Sequence, residues 1–285
     1  MGSQHGDGHS GRQHAALEWF RMPGKVALIT GAGKGIGAAT AVALADAGAD
    51  VALTARTVAD LEAVATEVRN RGRRAVVLPA DVSDLDGLGG LVERTVDELG
   101  GLDVLVNNAG GSVSRPFMSE RVSHLENSFR FNVAAPFELT QRCVPAMLAR
   151  GGGVVCNIGS VAGRNASRGT LVHSTTKAAL AQLTRVMAAD LAPHVRVNAV
   201  LPGAIETASL ARYLDDMDPQ IRATMIERTP MRRNGTPLDI ALTVLWLVSP
   251  ASSWVTGKLV EVDGAAAGDL IPKDLPDLEP SGPGA

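Results

Sequence analysis

The sequence predicts an α/β protein: a single doubly wound domain in which helices cover both faces of a seven-stranded parallel sheet. Three observations predict it. Short β-branched runs alternate with longer helical periods from Lys25 onward. The runs are apolar almost throughout, as strands buried on both faces must be. The composition, 45% hydrophobic and 20% charged over 285 residues, supplies a full core and excludes a chain too polar to fold.

The elements follow in order. Residues 1–23 are polar and rich in histidine, and are read as a flexible arm outside the fold. The domain is expected over 24–267, with strands at Val26–Ile29, Val51–Thr54, Ala75–Leu78, Val104–Val106, Val154–Ile158, Val195–Val200 and Leu259–Val262. Between them, Val58–Arg71 and Leu85–Leu99 repeat Leu, Val and Ala at three- and four-residue spacing beside Glu, Asp and Arg, the stripe of a surface helix. Parallel strands joined by helices require right-handed crossovers. From residue 268 onward, Pro272, Pro276, Pro280 and Pro283 stand among acidic residues, which predicts an extended tail.

Composition also narrows the partners. A net charge of -3 offers no basic field for phosphate backbones, and 3% aromatic residues leave few platforms for base stacking, so nucleic acid is not an expected partner. The first residues contain no apolar leader, and no stretch offers about 18 uninterrupted apolar residues to cross a membrane. A cytoplasmic protein with no membrane partner is expected. Cys143 and Cys156 fall in apolar surroundings without metal-ligand spacing, so both are read as buried free thiols and no metal site is expected.

The most informative segment is Thr30-Gly31-Ala32-Gly33-Lys34-Gly35-Ile36-Gly37, which directly follows the first strand and opens an alanine-rich helix. Glycine lets the backbone turn sharply and come close to a pyrophosphate, while free N–H groups and the helix dipole favour its negative charge. This is the phosphate grip of a Rossmann dinucleotide site. Thr30, Gly31, Gly35 and Gly37 carry the Thr-Gly-x-x-x-Gly-x-Gly spacing. Asp81-Val82, Asn107-Asn108-Ala109-Gly110, Asn132, Ser160, Lys177 and Pro202-Gly203 with Thr207 then follow in order. Over roughly Lys25 to Gly264 the chain resembles the short-chain dehydrogenases/reductases.

The resemblance implies that Asp81 hydrogen-bonds the adenine, that Asn107–Gly110 steadies the sheet beside the cofactor and that Thr207 meets the nicotinamide carboxamide. Read without it, Asp81 is equally a helix N-cap and Asn107-Asn108 a turn. The second strand ends Thr54-Ala55-Arg56, so Ala55 stands where an acid would accept from the ribose 2′-hydroxyl of NAD. Arg56 and Lys34 are two cations able to converge on a 2′-phosphate. NADP(H) is therefore favoured, with NAD(H) possible.

The resemblance also implies a Ser and a Tyr on the substrate oxygen, a Lys four residues after the Tyr, and an Asn holding a relay water. Ser160, Lys177 and Asn132 fill three of these roles, but the Tyr position is His173. Four residues apart on a helix, His173 and Lys177 face the same side. A neutral imidazole can donate a hydrogen bond, and a neighbouring lysine charge favours that neutral form. Its far nitrogen lies roughly 2 Å nearer the backbone than a phenolic oxygen, a gap one water can bridge. Two functions stay open: an alcohol/carbonyl oxidoreductase using His173, or an NADP(H)-binding protein without turnover.

A small carbonyl or alcohol substrate is expected between the loops Gly111–Phe117 and Val161–Arg168 and the segment after Gly203. Leu210, Tyr213, Leu214 and Met217 form a stripe read either as a lid or as plain packing. Arg115 and Arg164 read either as cations for an anionic group or, as isolated loop arginines usually are, as simply solvated side chains. The resemblance further implies a homotetramer or homodimer built on helices spanning roughly Ser119–Arg150 and His173–Leu191, with a second contact through the last strand.

Overall fold

A ligand in an open parallel sheet sits where the strand order reverses, so the order of the strands comes first. In a computed structural model, which describes residues 15–215 and 220–266, seven parallel strands run in the order β3-β2-β1-β4-β5-β6-β7. They are β1 (Val26–Thr30), β2 (Asp50–Ala55), β3 (Ala75–Pro79), β4 (Val104–Asn107), β5 (Gly153–Ile158), β6 (Val195–Pro202) and β7 (Leu259–Val262). The reversal falls between β1 and β4, whose registers pair Ala27 with Val104 and Ile29 with Val106. Every expected strand is present, each within two residues of its expected ends.

The helices are α1 (Gly35–Asp46), α2 (Val58–Arg69), α3 (Leu88–Leu99), α4 (Val122–Phe129), α5 (Ala135–Ala149), α6 (Leu171–Leu191), α7 (Ala208–Asp215), α8 (Gln220–Arg228) and α9 (Pro237–Val248). Side chains alternate across each strand and so feed two cores. On one face Ile29, Val51, Leu53 and Val106 pack with Leu44 of α1, Leu61 of α2 and Val244 of α9. On the other, Leu28, Ala52, Leu105 and Val155 pack with Leu91 of α3, Leu139 of α5 and Met187 of α6. Both thiols lie inside these layers, fully buried, and burial pushes Cys156 up to about 12 and raises Cys143 as well.

Several boundaries differ from the sequence reading, each for a local reason. The arm does not extend to residue 23: Met22 is 2% exposed in the core, and its N–H donates to the Ala47 carbonyl at 2.7 Å. The described residues begin at 15, so 1–14 and the tail from 268 lie outside them. Helix α3 starts at Leu88, because Asp81 closes an Asx turn on the Ser83 N–H (2.9 Å) and Gly87 caps the helix. Asp81 is therefore not the helix N-cap. The helix expected over Ser119–Arg150 is interrupted by a π-turn at Arg130–Ala134, which carries Asn132.

At the opposite end of the sheet, Asp103 ties three segments together. Its carboxylate accepts from Lys25 Nζ (2.9 Å), the Val26 N–H (2.9 Å) and Arg150 Nε (3.0 Å) while 3% exposed. Burial pushes this carboxyl up, but the hydrogen bonds from Arg150, Lys25 and Val26 outweigh it and hold it below its ordinary value. Asp103→Asn is expected to cost about 3 kcal/mol, read as a lower urea midpoint at unchanged slope. The folded pKa is depressed, so this contribution is present above the unfolded carboxyl pKa of about 4 and is lost as pH falls through the folded value.

Candidate active site

The carboxyl ends of β1, β4 and β5 form the floor of the site, and Thr30 ties the first two together. Its hydroxyl accepts from the N–H groups of Asn108 and Ala109, both at 2.9 Å. In return the Asn108 amide donates to the carbonyls of Thr30 (2.9 Å) and Gly31 (3.1 Å). Asn107 is no simple turn residue. It is buried at the end of β4, where it donates to Asn157 Oδ1 (2.9 Å), and Asn157 donates to Thr184 of α6 (2.9 Å). This buried chain sets α6 against the sheet.

The glycine turn has the shape of a cradle. Gly31 and Gly35 have φ of 62° and 56°, in the left-handed region that favours glycine. A Cβ on Gly37 would lie 2.3 Å from the Gly31 carbonyl oxygen. Among the described residues, no side chain caps the start of α1, so its first N–H groups are donors for an anion. A Cβ on Gly35 would meet Thr207 at 3.2 Å, which places Thr207, at the entry to α7, against the turn. A dinucleotide fits this arrangement: glycine backbone and open N–H groups for its pyrophosphate, Thr207 alongside. Ile36 opens α1 half-buried against the first core, and Val82 is buried beside exposed Asp81. After Pro202, Gly203 packs its backbone on Asp263, where a Cβ would come within 2.8 Å.

Across the reversal, Lys177 and Asn132 come together at the β4 loop, with Ser160 and His173 on the segments that flank them. Lys177 is 5% exposed, its Nζ donates to the Ile158 carbonyl at the end of β5 (2.9 Å), and burial lowers its pKa to about 8. Asn132 bridges to the β4 loop, accepting from the Gly111 N–H (2.8 Å) and donating to the Gly111 carbonyl (3.0 Å). The point where Gly110 would carry a Cβ is 2.9 Å from both Asn132 Oδ1 and Lys177 Nζ. A side chain there would push the amide or the ammonium aside. Ser160 follows β5, its Oγ accepting from the Ala162 N–H (3.1 Å), and Gly163 in the next turn packs directly on the Lys177 backbone. His173 lies half-buried one turn before Lys177, and its carbonyl accepts from Thr176 Oγ1 (3.1 Å).

A family model described as enoyl-(acyl carrier protein) reductase matches residues 31–265. An uncharacterised oxidoreductase of Mycobacterium tuberculosis is 45% identical over 92% of this chain and 99% of its own. The 7α-hydroxysteroid dehydrogenase of Escherichia coli K12 is 38% identical over 88% of this chain and 97% of its own. The chain is a short-chain dehydrogenase/reductase. A solved structure of a 7α-hydroxysteroid dehydrogenase with NADH and 7-oxo glycochenodeoxycholic acid superposes with TM-score 0.85 at 37% identity, covering 89% of this chain and 98% of that one. As a family member it is an oxidoreductase of alcohols and carbonyl compounds. Among the described residues, no helix of this dehydrogenase/reductase is long and apolar enough to cross a membrane.

Two features were not legible in the sequence. Ser128 holds Asn132 from below, accepting from its amide at both the carbonyl and Oγ (3.0 Å each), and Ser128 Oγ lies 3.5 Å from Thr176 of α6. Asp60, in the first turn of α2, pairs with Lys34 at 3.0 Å, so the lysine assigned to a 2′-phosphate already has an acidic neighbour. Of the two loop arginines, Arg164 is paired with Glu261 on β7, a partner neither of its two sequence readings named. The Arg115 backbone joins the substrate loops through a 3.0 Å bond to Gly169. Leu210 and Leu214 pack with Met225 of α8 and Ala266, while Met217 and the Tyr213 side chain lie outside the described residues.

Proposed function

We propose that this chain is an NADP(H)-dependent oxidoreductase interconverting a secondary alcohol and a carbonyl compound. The observation that carries it is the buried Lys177 ammonium held beside Asn132 across the sheet reversal from an open glycine turn. The relatives named above, a dehydrogenase among them, support the class of reaction. The bound nicotinamide would supply or accept the hydride.

The chain's own residues do the rest. Thr30, Gly31, Gly33, Gly35, Ile36 and Gly37 would hold the pyrophosphate and Lys34 would turn to the 2′-phosphate, with Asp81, Val82, Asn108, Ala109 and Gly110 along the adenosine and nicotinamide halves. Pro202, Gly203 and Thr207 would close over the carboxamide. Ser160 would hydrogen-bond the substrate oxygen and polarise the carbonyl, and His173 would pass the single proton to that oxygen directly or through one water. Lys177 would steady the ribose hydroxyls and the proton path, and Asn132 would hold a relay water. Arg56 is exposed at the end of β2 beside Ala55, where a 2′-phosphate would meet it. Subunits would associate through α4–α6 and the β7 edge as a homodimer or homotetramer.

A second reading rests on His173 itself: if the shorter imidazole serves no proton transfer, the chain binds NADP(H) without turnover. The wild type and His173→Tyr are compared for NADPH and NADH binding and for reduction of a panel of carbonyl compounds. The wild type is expected to bind NADPH more tightly than NADH and to turn over slowly, with His173→Tyr raising kcat about 10- to 100-fold by restoring the longer donor. Binding without any turnover in the wild type, but with turnover in the Tyr variant, sinks the enzyme reading. Tighter binding of NADH sinks the use of Lys34 and Arg56.

A further inference from the structure

The end of β2 lacks the acid expected of an NAD site, yet an acid reaches the same place from the next helix. Lys34 Nζ lies 3.0 Å from Asp60 Oδ2, with the lysine side chain 67% exposed and the aspartate 26%. The pair sits at the mouth of the cradle. A Cβ on Gly33 would be 3.0 Å from Asp60 Cβ and 3.8 Å from Ala55 Cβ, so the glycine turn, the end of β2 and the first turn of α2 meet at one point. Asp60 stands in the first turn of α2, at the end of the helix where an acidic side chain complements the dipole.

We infer that Asp60 sets the choice between the two dinucleotides by withholding Lys34. While the carboxylate holds the ammonium, the charge of Lys34 is cancelled at the position a 2′-phosphate must take. A phosphate has to win the ammonium from Asp60 and to approach a like charge, whereas a 2′-hydroxyl meets neither obstacle. The phosphate-bearing cofactor is thus bound less tightly than two free cations would bind it, and the pocket admits both dinucleotides. Asp60 acts through its neighbour and is a positioning residue. The inference rests on the NADP(H) reading above.

Dissociation constants for NADPH and NADH are measured by nucleotide fluorescence on the full chain, for wild type, Asp60→Asn, Lys34→Met and the double variant. Asp60→Asn is expected to tighten NADPH binding about three- to tenfold and to leave NADH within twofold, the gain shrinking as salt rises. In the Lys34→Met background the same change is expected to gain less than twofold, because the ammonium it would release is gone. An unchanged thermal midpoint shows that the fold is not what moved. Asp60→Asn that weakens NADPH binding, shifts both cofactors equally, or acts as strongly without Lys34 overturns the inference and leaves the NADP(H) reading standing. Failure of the wild type to bind either dinucleotide overturns both.

Discussion

A single methyl group at position 37 is expected to lower dinucleotide affinity at least 100-fold. In Gly37→Ala the new Cβ would lie 2.3 Å from the Gly31 carbonyl oxygen and 2.6 Å from Asn108 Nδ2, distances no packed carbon occupies. That carbonyl already accepts from the Asn108 amide at 3.1 Å, so it cannot withdraw without breaking the link between β1 and β4. Helix α1 must move outward instead, carrying with it the open N–H groups that would receive a pyrophosphate. Overpacking of this kind costs about 1–3 kcal/mol, so the variant is expected to remain folded but bind poorly, as titration with NADPH and a urea melt would read. Gly90→Ala is the control. Nothing lies within 4 Å of its added Cβ in α3, and it is expected to gain about 0.5–1 kcal/mol from helix propensity. Wild-type affinity in Gly37→Ala would remove the turn from the site.

The second large effect is at Lys177. Lys177→Met keeps most of the side-chain volume and removes the ammonium, and is expected to lower kcat/KM by about 1,000-fold, in the middle of the range for a group acting in proton transfer. Stability should move the other way. Burial takes the lysine from 10.5 to about 8, so the folded state disfavours the charged form. Below pH 8 both states hold the proton and this cost is fully present; between about 8 and 10.5 the folded state releases it first, and unfolding becomes harder as pH rises. At pH 7 the variant is therefore expected to be more stable than wild type by an amount on the order of 2 kcal/mol, an advantage that disappears above about pH 10.5. Wild-type activity is expected to fall as pH rises through about 8. A variant that loses stability at pH 7 would show that the bond to Ile158 outweighs the burial of charge.

Both effects depend on features that differ in how far the chain alone reveals them. The seven strands were legible because they are continuous apolar runs, and a strand buried on both faces has little freedom to be anything else. The glycine turn was legible because its geometry depends on residues without a Cβ, and that requirement is written locally. Asp81 was open between an N-cap and a ligand contact, and the fold decided against the N-cap by closing an Asx turn there, four residues before the expected start of α3. The π-turn at Asn132 left no periodic signal, since one widened turn shifts the stripe by less than a residue type can report.

By itself the sequence determined the fold class, the strand limits and the glycine turn after β1, because each rests on local backbone conformation or on the period of burial. Only the tertiary structure decided which of those side chains are engaged, and with whom. It set Lys34 on Asp60, Arg164 on Glu261 and Asn132 between Gly111 and Ser128. The physical reason is that charge and hydrogen-bond pairing depend on distance in space. Lys34 and Asp60 stand in different helical units of the chain, and it is the packing of α2 against the glycine turn that closes them to 3.0 Å.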